Sequence, residues 1–147
     1  MIKILVISAI VILIGILLLM GPLRGSLNSD FEDIAIDETN PLEPCPDSPN
    51  CIRLTLSSER TAEELYAEGI QAFTQMDPME LNPDEDLQYI HTVFRIPVFG
   101  FKDDMELQIT ESDGGSFIHI RSASRVGESD LGENRRRVNQ FLSRFEA

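Results

Sequence analysis

Residues 103 to 124 constrain the fold more than any other stretch of this chain. Met105, Leu107 and Ile109 alternate with Asp104, Glu106 and Gln108. That is the period of a strand with one face in a core and the other towards water. Ser112-Asp113-Gly114-Gly115 follows as a turn, and Phe117 to Ser124 reads as the return strand. Setting Glu111 opposite Ser116 pairs Leu107 with Ile120 and Ile109 with Ile118 on one face, and Glu106 with Arg121 on the other. Apolar meets apolar and charge meets opposite charge, so the pattern specifies its own register.

A sheet with one apolar face needs a cover. Thr61-Ala62-Glu63-Glu64 is a capping box, and Ala62, Leu65, Tyr66, Gly69, Phe73 and Met76 then recur at helical spacing. The spacing predicts a helix over 61–76, stopped by Asp77-Pro78. Asp130 and Glu133 form a second box ahead of Leu131, Val138, Phe141, Leu142 and Phe145, which predicts a helix over 131–145. Leu87 to Ile96 reads as a strand, and Ile52 to Leu56 as a short one. The expected class is α+β, in the order β-α-β-β-β-α. An antiparallel sheet of about four strands is covered on one face by two helices.

Ahead of this domain, Ile4 to Met20 carries no charge, and the apolar stretch extends to Leu23. At about 1.5 Å per residue, such a run spans a bilayer core of about 30 Å. The apolar region of a signal peptide is shorter, about 7–15 residues, and ends in a small-x-small site. Met20-Gly21-Pro22-Leu23 offers no such site. Residues 1–23 therefore read as an uncleaved single-pass transmembrane helix, with a cleaved signal as the alternative. Residues 24–44 lack periodicity and read as an acidic linker, leaving 45–147 as the folded domain. Acidic residues number 25 against 12 basic ones, a formal net charge of −13. This argues against general nucleic-acid binding, which needs Lys and Arg to neutralise phosphates. Residues 28–86 hold 16 acidic and two basic side chains, whereas 87–147 hold nine and eight.

Cys45-Pro46-Asp47-Ser48-Pro49-Asn50-Cys51 folds back through two prolines and two turn formers. A Cys45–Cys51 disulfide is the leading reading, with free thiols or a metal site as alternatives; no His lies nearby to complete a metal site. A structural disulfide implies an oxidising compartment. Together with the anchor it sets the amino terminus in the cytoplasm and the domain outside it, at the cell membrane, or in the periplasm of a Gram-negative source. A second constellation is Arg121, Arg125, Ser129, Asp130, Asn134 and Arg135. Arginines near the start of the last helix suggest a pocket for a phosphate or carboxylate. The structural alternative pairs Arg121 and Arg125 with Asp103, Asp104 or Glu106, while Asp130 only caps. Asn134 falls on the apolar stripe of the last helix, and Ser122 and Ser124 are its expected partners. Asp103 and Asp104 point to opposite faces of a strand and read as ion-pair partners rather than a catalytic pair.

His91 and His119 are expected on the polar sheet face with Tyr89 and Arg95, where a His beside Glu106 is a candidate general base. Val98-Phe99-Gly100-Phe101 reads as strand continued around a Gly bulge or as core, with contact to a membrane or partner as the alternative. No nucleophile elbow or Gly-rich phosphate loop occurs in the sequence, and neither a cofactor nor a metal is expected.

Three segments, CPDSPNC, FGFKDDMEL and RSASRVGESDLGENRRR, occur in this order. Together they resemble the hallmark segments of the domain of unknown function 1499 family, over roughly residues 44–145. The resemblance implies a small exported or membrane-associated domain and no established reaction. Three functions stand in contention. The leading one is a binding module for a small anionic ligand or an envelope partner. The others are a structural accessory subunit of an envelope complex and a hydrolase-type enzyme using His119 or His91 with Asp104 or Glu106.

Overall fold

Thr61 starts the first helix as its sequence requires. In the computed structural model, which describes residues 40–96 and 100–145, the Glu64 N–H donates to Thr61 Oγ1 at 3.3 Å. The Thr61 N–H donates back to the Glu64 carboxylate, also at 3.3 Å. Both halves of the capping box are formed. Helix α1 (Ala62–Gln75) follows β1 (Cys51–Ser58) and buries Leu65, Tyr66, Gly69, Ala72 and Phe73. It ends where Asp77 turns into the left-handed region (φ 52°) ahead of Pro78. The transmembrane helix expected at 1–23, the linker up to residue 39, and Val98 and Phe99 lie outside the described residues. Among the described residues no helix is long and apolar enough to cross a membrane.

Next come β2 (Glu80–Asp84), β3 (Tyr89–Arg95), β4 (Lys102–Ser112), β5 (Gly115–Ser124) and α2 (Glu133–Phe145). The strands form one five-stranded sheet in the order β1-β5-β4-β3-β2, antiparallel throughout. The β4–β5 register is the one the alternation specifies: Glu111 faces Ser116, Leu107 faces Ile120, Ile109 faces Ile118 and Glu106 faces Arg121. The sheet has five strands rather than four. The extra one, β2, reads ELNPD and has neither β-branched residues nor alternation. Pro83 argues against a strand in sequence, yet an edge position tolerates a residue with no N–H to donate.

Both helices cover one face. Leu56, Ile90, Met105, Leu107, Ile118 and Ile120 meet Leu65, Phe73, Val138, Phe141 and Phe145 in one buried cluster. Phe73 and Phe141 join the two helices, with ring centroids 4.5 Å apart, and Phe145 stacks on Phe141 at 5.2 Å. Gly69 lets α1 approach closely, because a Cβ there would collide with Leu107 Cδ2 and crowd Ile90. The packed part begins within the stretch read as linker. Asn40 and Leu42 are buried, and Asn40 Nδ2 donates to the Leu54 carbonyl and to Thr55 Oγ1, both at 3.1 Å.

Phe141 is fully buried at the centre of this cluster. Phe141→Ala should cost about 3–5 kcal/mol in urea unfolding. Leu87→Ala, at a side chain 60% exposed, should stay within about 0.5 kcal/mol of the parent.

Candidate functional site

Strand alternation sends Tyr89, His91, Asp104, Glu106 and Arg121 to the sheet face away from the helices, where they form two rows. In the first row Tyr89 donates to Glu106 Oε1 at 2.7 Å and Arg121 Nη1 donates to Glu106 Oε2 at 2.8 Å. Glu43 approaches Arg121 at 3.9 Å. Burial, reinforced by the Glu106 carboxylate, pushes the Tyr89 phenol well above its ordinary range, so it remains a donor. In the second row Arg125 grips Asp104 through Nε and Nη2, at 2.8 and 2.7 Å, and His91 Nε2 lies 2.7 Å from Asp104 Oδ1. The Arg125 guanidinium, helped by His91 and opposed by burial, holds Asp104 below the usual carboxylate range.

The anion pocket expected from Arg121, Arg125 and the start of the last helix is divided by the sheet. Asn134 lies on the helix side, 2% exposed. Its Oδ1 accepts from Ser122 at 2.6 Å, and its Nδ2 donates to Ser124 Oγ at 3.0 Å and to the Asn50 carbonyl at 2.8 Å. Asp130 fills the helix start: its carboxylate accepts the Asn134 N–H at 2.6 Å and the Gly132 N–H at 3.1 Å. Burial opposes the charge on Asp130, yet these N–H donors outweigh it and keep the carboxyl below its ordinary range. Ser129 Oγ accepts the Leu131 N–H at 3.4 Å, and Arg135 is exposed. The second capping box does not form: the Glu133 N–H donates to the Asp130 backbone carbonyl at 3.1 Å, and the Glu133 carboxylate turns onto Arg136 and Arg137.

Cys45 and Cys51 are disulfide-bonded, with Cα atoms 5.6 Å apart. Their loop presents Asn50, whose carbonyl also accepts the Ser124 N–H at 3.1 Å and whose side chain donates to the Gly127 carbonyl. The loop is thereby stitched to the start of α2.

A cleft of about 580 Å³ opens where α1 ends and α2 begins. Met76, Met79 and Phe94 line it together with Arg95, Arg136 and Arg137. Arg137 is 3% exposed. Its Nη2 lies 2.9 Å from Asp103 Oδ2, its Nη1 donates to Asn134 Oδ1 at 3.2 Å, and its guanidinium lies 4.9 Å from the Phe94 ring centroid. Asp103 is fully buried and neither of its oxygens receives a well-aimed hydrogen bond, so charge attraction holds the pair. Sequence reasoning assigned Asp103 to Arg121 or Arg125 and missed Arg137. The signal was present, since Asp103 shares the apolar face of β4 with Met105, and Arg137 stands beside Val138 on the buried side of α2. Glu133 sits between Arg136 (2.7 and 2.8 Å) and Arg137 (3.2 Å), and Arg136 above all holds its carboxyl low. Among the described residues no three His, Cys, Asp or Glu side chains gather in a way that could hold a metal ion.

Neither histidine lines the cleft. His119 is fully buried, contrary to its expected place on a solvated face, and its strand partner is Gln108 rather than Glu106. Its Nδ1 lies 3.0 Å from Thr55 Oγ1 and its Nε2 2.9 Å from Thr110 Oγ1. Burial, with a smaller contribution from the Arg53 charge, pushes His119 down to about 4 from 6.5. The folded state therefore holds His119 neutral, while the unfolded chain takes up a proton below pH 6.5. Stability from this group is full above that pH and is lost as pH falls through about 4. Each tenfold difference in proton affinity between the two states is worth about 1.4 kcal/mol. Urea unfolding from pH 7 to 4 should show a loss of up to about 3 kcal/mol in the parent that His119→Gln lacks.

The chain matches the family model described as protein of unknown function (DUF1499) over residues 41–145. No curated protein matches it. Among solved structures it is similar to protein CV1439 from Chromobacterium violaceum, known from a crystal structure. The identity is 11% and the TM-score 0.40, over 66% of this chain and 95% of that one. With its two-layer α+β domain and the disulfide loop at the end of its sheet, the chain belongs to the DUF1499 family of proteins of unknown function.

Proposed function

We propose that the chain is a membrane-anchored, extracytoplasmic binding module that takes a small anionic ligand in the cleft between α1 and α2. The observation that carries this reading is the grouping of Arg95, Arg136 and Arg137 with Met76, Met79 and Phe94 around about 580 Å³, a volume in the range of small-molecule sites. Glu133 already occupies two of the guanidiniums, so their spacing accepts a carboxylate. Among the described residues Arg95 makes no ion pair, and it is exposed. An incoming carboxylate or phosphate shares Arg136, with Arg95 reaching in from the rim, where its guanidinium lies over Gly100, while its apolar part rests on the methionines and Phe94. The ligand seat thus moves away from Arg121 and Arg125, whose charges Glu106 and Asp104 already answer. The apolar stretch at residues 4–23 supports the anchor, and the Cys45–Cys51 disulfide supports an oxidising compartment.

A second reading, a structural accessory subunit of an envelope complex, is favoured by that same pairing of Arg121 and Arg125. Thermal unfolding in the presence of phosphates, carboxylates and lipid headgroups separates the two. A ligand at about 100 times its dissociation constant adds about 2.7 kcal/mol, a rise of several degrees in midpoint. The Arg95→Ala/Arg136→Ala variant, altered only at exposed side chains, should fold with a near-parental midpoint and lose that rise. A parent protein indifferent to every member of the panel would leave the accessory-subunit reading.

A further inference from the structure

Large apolar side chains stand exposed at Met79, Leu87, Phe101, Val126 and Leu131. All except Leu87 lie at one end of the sheet, the end where β5 finishes and β4 begins. The Arg125 N–H donates to the Lys102 carbonyl at 3.1 Å, which continues the β4–β5 ladder and sets Phe101 opposite Val126. Phe101 is 48% exposed and Val126 53%.

Leu131 is the most telling of them. It is 98% exposed and sits in the left-handed region with φ 55°, followed by Gly132 at φ 84°. A bulky non-glycine residue is held there at a conformational cost. It contributes nothing to the core, so the isolated domain draws no stability from it. Three exposed side chains at the ends of strands and in turns, rather than a recess, suit a fluid phase that closes around them. Lys102, Arg125 and Arg135 neighbour them in sequence, alongside Glu128 and Asp130; Glu80 answers Lys102 and Asp104 answers Arg125, so the apolar side chains rather than charge carry the contact.

We propose that this end of the domain dips Phe101, Val126 and Leu131 into the headgroup layer of the bilayer that holds the chain. The inference rests on the anchored reading and adds an orientation to it. Residues 24–39 connect the apolar stretch to the first described residue. Sixteen residues reach at most about 55 Å, so the domain never leaves the neighbourhood of the membrane. Tethering of this kind raises the effective concentration to about the millimolar range, where a few inserted side chains suffice.

The chain contains no Trp, so Leu131→Trp supplies a single reporter at an exposed site. The full chain is reconstituted into vesicles of phosphatidylcholine with a minor share of phosphatidylglycerol, with and without brominated acyl chains. Vesicle flotation reads the anchor independently. The expected result is flotation, with Leu131→Trp emission blue-shifted and quenched by the brominated lipid. Leu87→Trp, at the opposite end, should emit as in water and escape quenching. Val126→Trp is the second probe and should behave as Leu131→Trp does. Flotation with water-like, unquenched emission from both the Leu131 and Val126 probes would overturn the contact and leave the anchor standing. Failure to float would overturn both.

Discussion

Asn134 is the point on which the arrangement of this domain turns. A buried amide leaves donors and acceptors unsatisfied unless every partner arrives together. Here the partners come from β5 (Ser122 and Ser124), from the disulfide loop (the Asn50 carbonyl) and from α2 itself (Arg137). Meeting them all fixes the rotation of α2 about its axis and its height on the sheet. Arg137, one turn on, then falls over Phe94 and against Asp103. Glu133 and Arg136 take their places at the cleft as a consequence. The cleft is thus a by-product of a hydrogen-bonding requirement met a few ångströms away.

Much of this was legible in the sequence, for identifiable reasons. The β4–β5 register followed from a period-2 pattern joined by a tight turn, because a slip of one residue would have sent Leu107 and Ile109 to water. Helix α1 followed from Thr61 and Glu64, whose side chains answer specific backbone donors. Asn134 with Ser122 and Ser124 followed from polar residues on apolar faces. Strand β2 was not legible, since its place at the sheet edge is set by its neighbour β3 rather than by ELNPD itself. Burial of His119 was missed because the cover comes from the other end of the chain: Asn40 donates to Thr55, which in turn meets the His119 ring. A periodic pattern reports which face a side chain takes and is silent about what lies on that face.

The two sheet faces solve different problems with charge. Away from the helices, carboxylates and guanidiniums meet in rows that keep some contact with water, where such pairs are easily held and individually weak. On the helix side the pair Asp103 and Arg137 is withdrawn from water. Its desolvation is strongly unfavourable, and an apolar pair of similar volume would pack there as stably or better. Arg137 also donates to Asn134 Oδ1 and meets Glu133, so the pair ties β4 to the first turns of α2.

The sheet is open, and its two borders are closed by unlike means. Along β1 the Asn40 amide donates to the Leu54 carbonyl, and along β2 Pro83 has no N–H to offer while Glu80 and Asp84 bring negative charge. Neither border presents an unbroken row of free backbone groups. A second molecule arriving edge-on finds no ladder to extend, so strand addition between copies is disfavoured. For a domain crowded among copies of itself, that protection against aggregation matters more than it would in dilute solution.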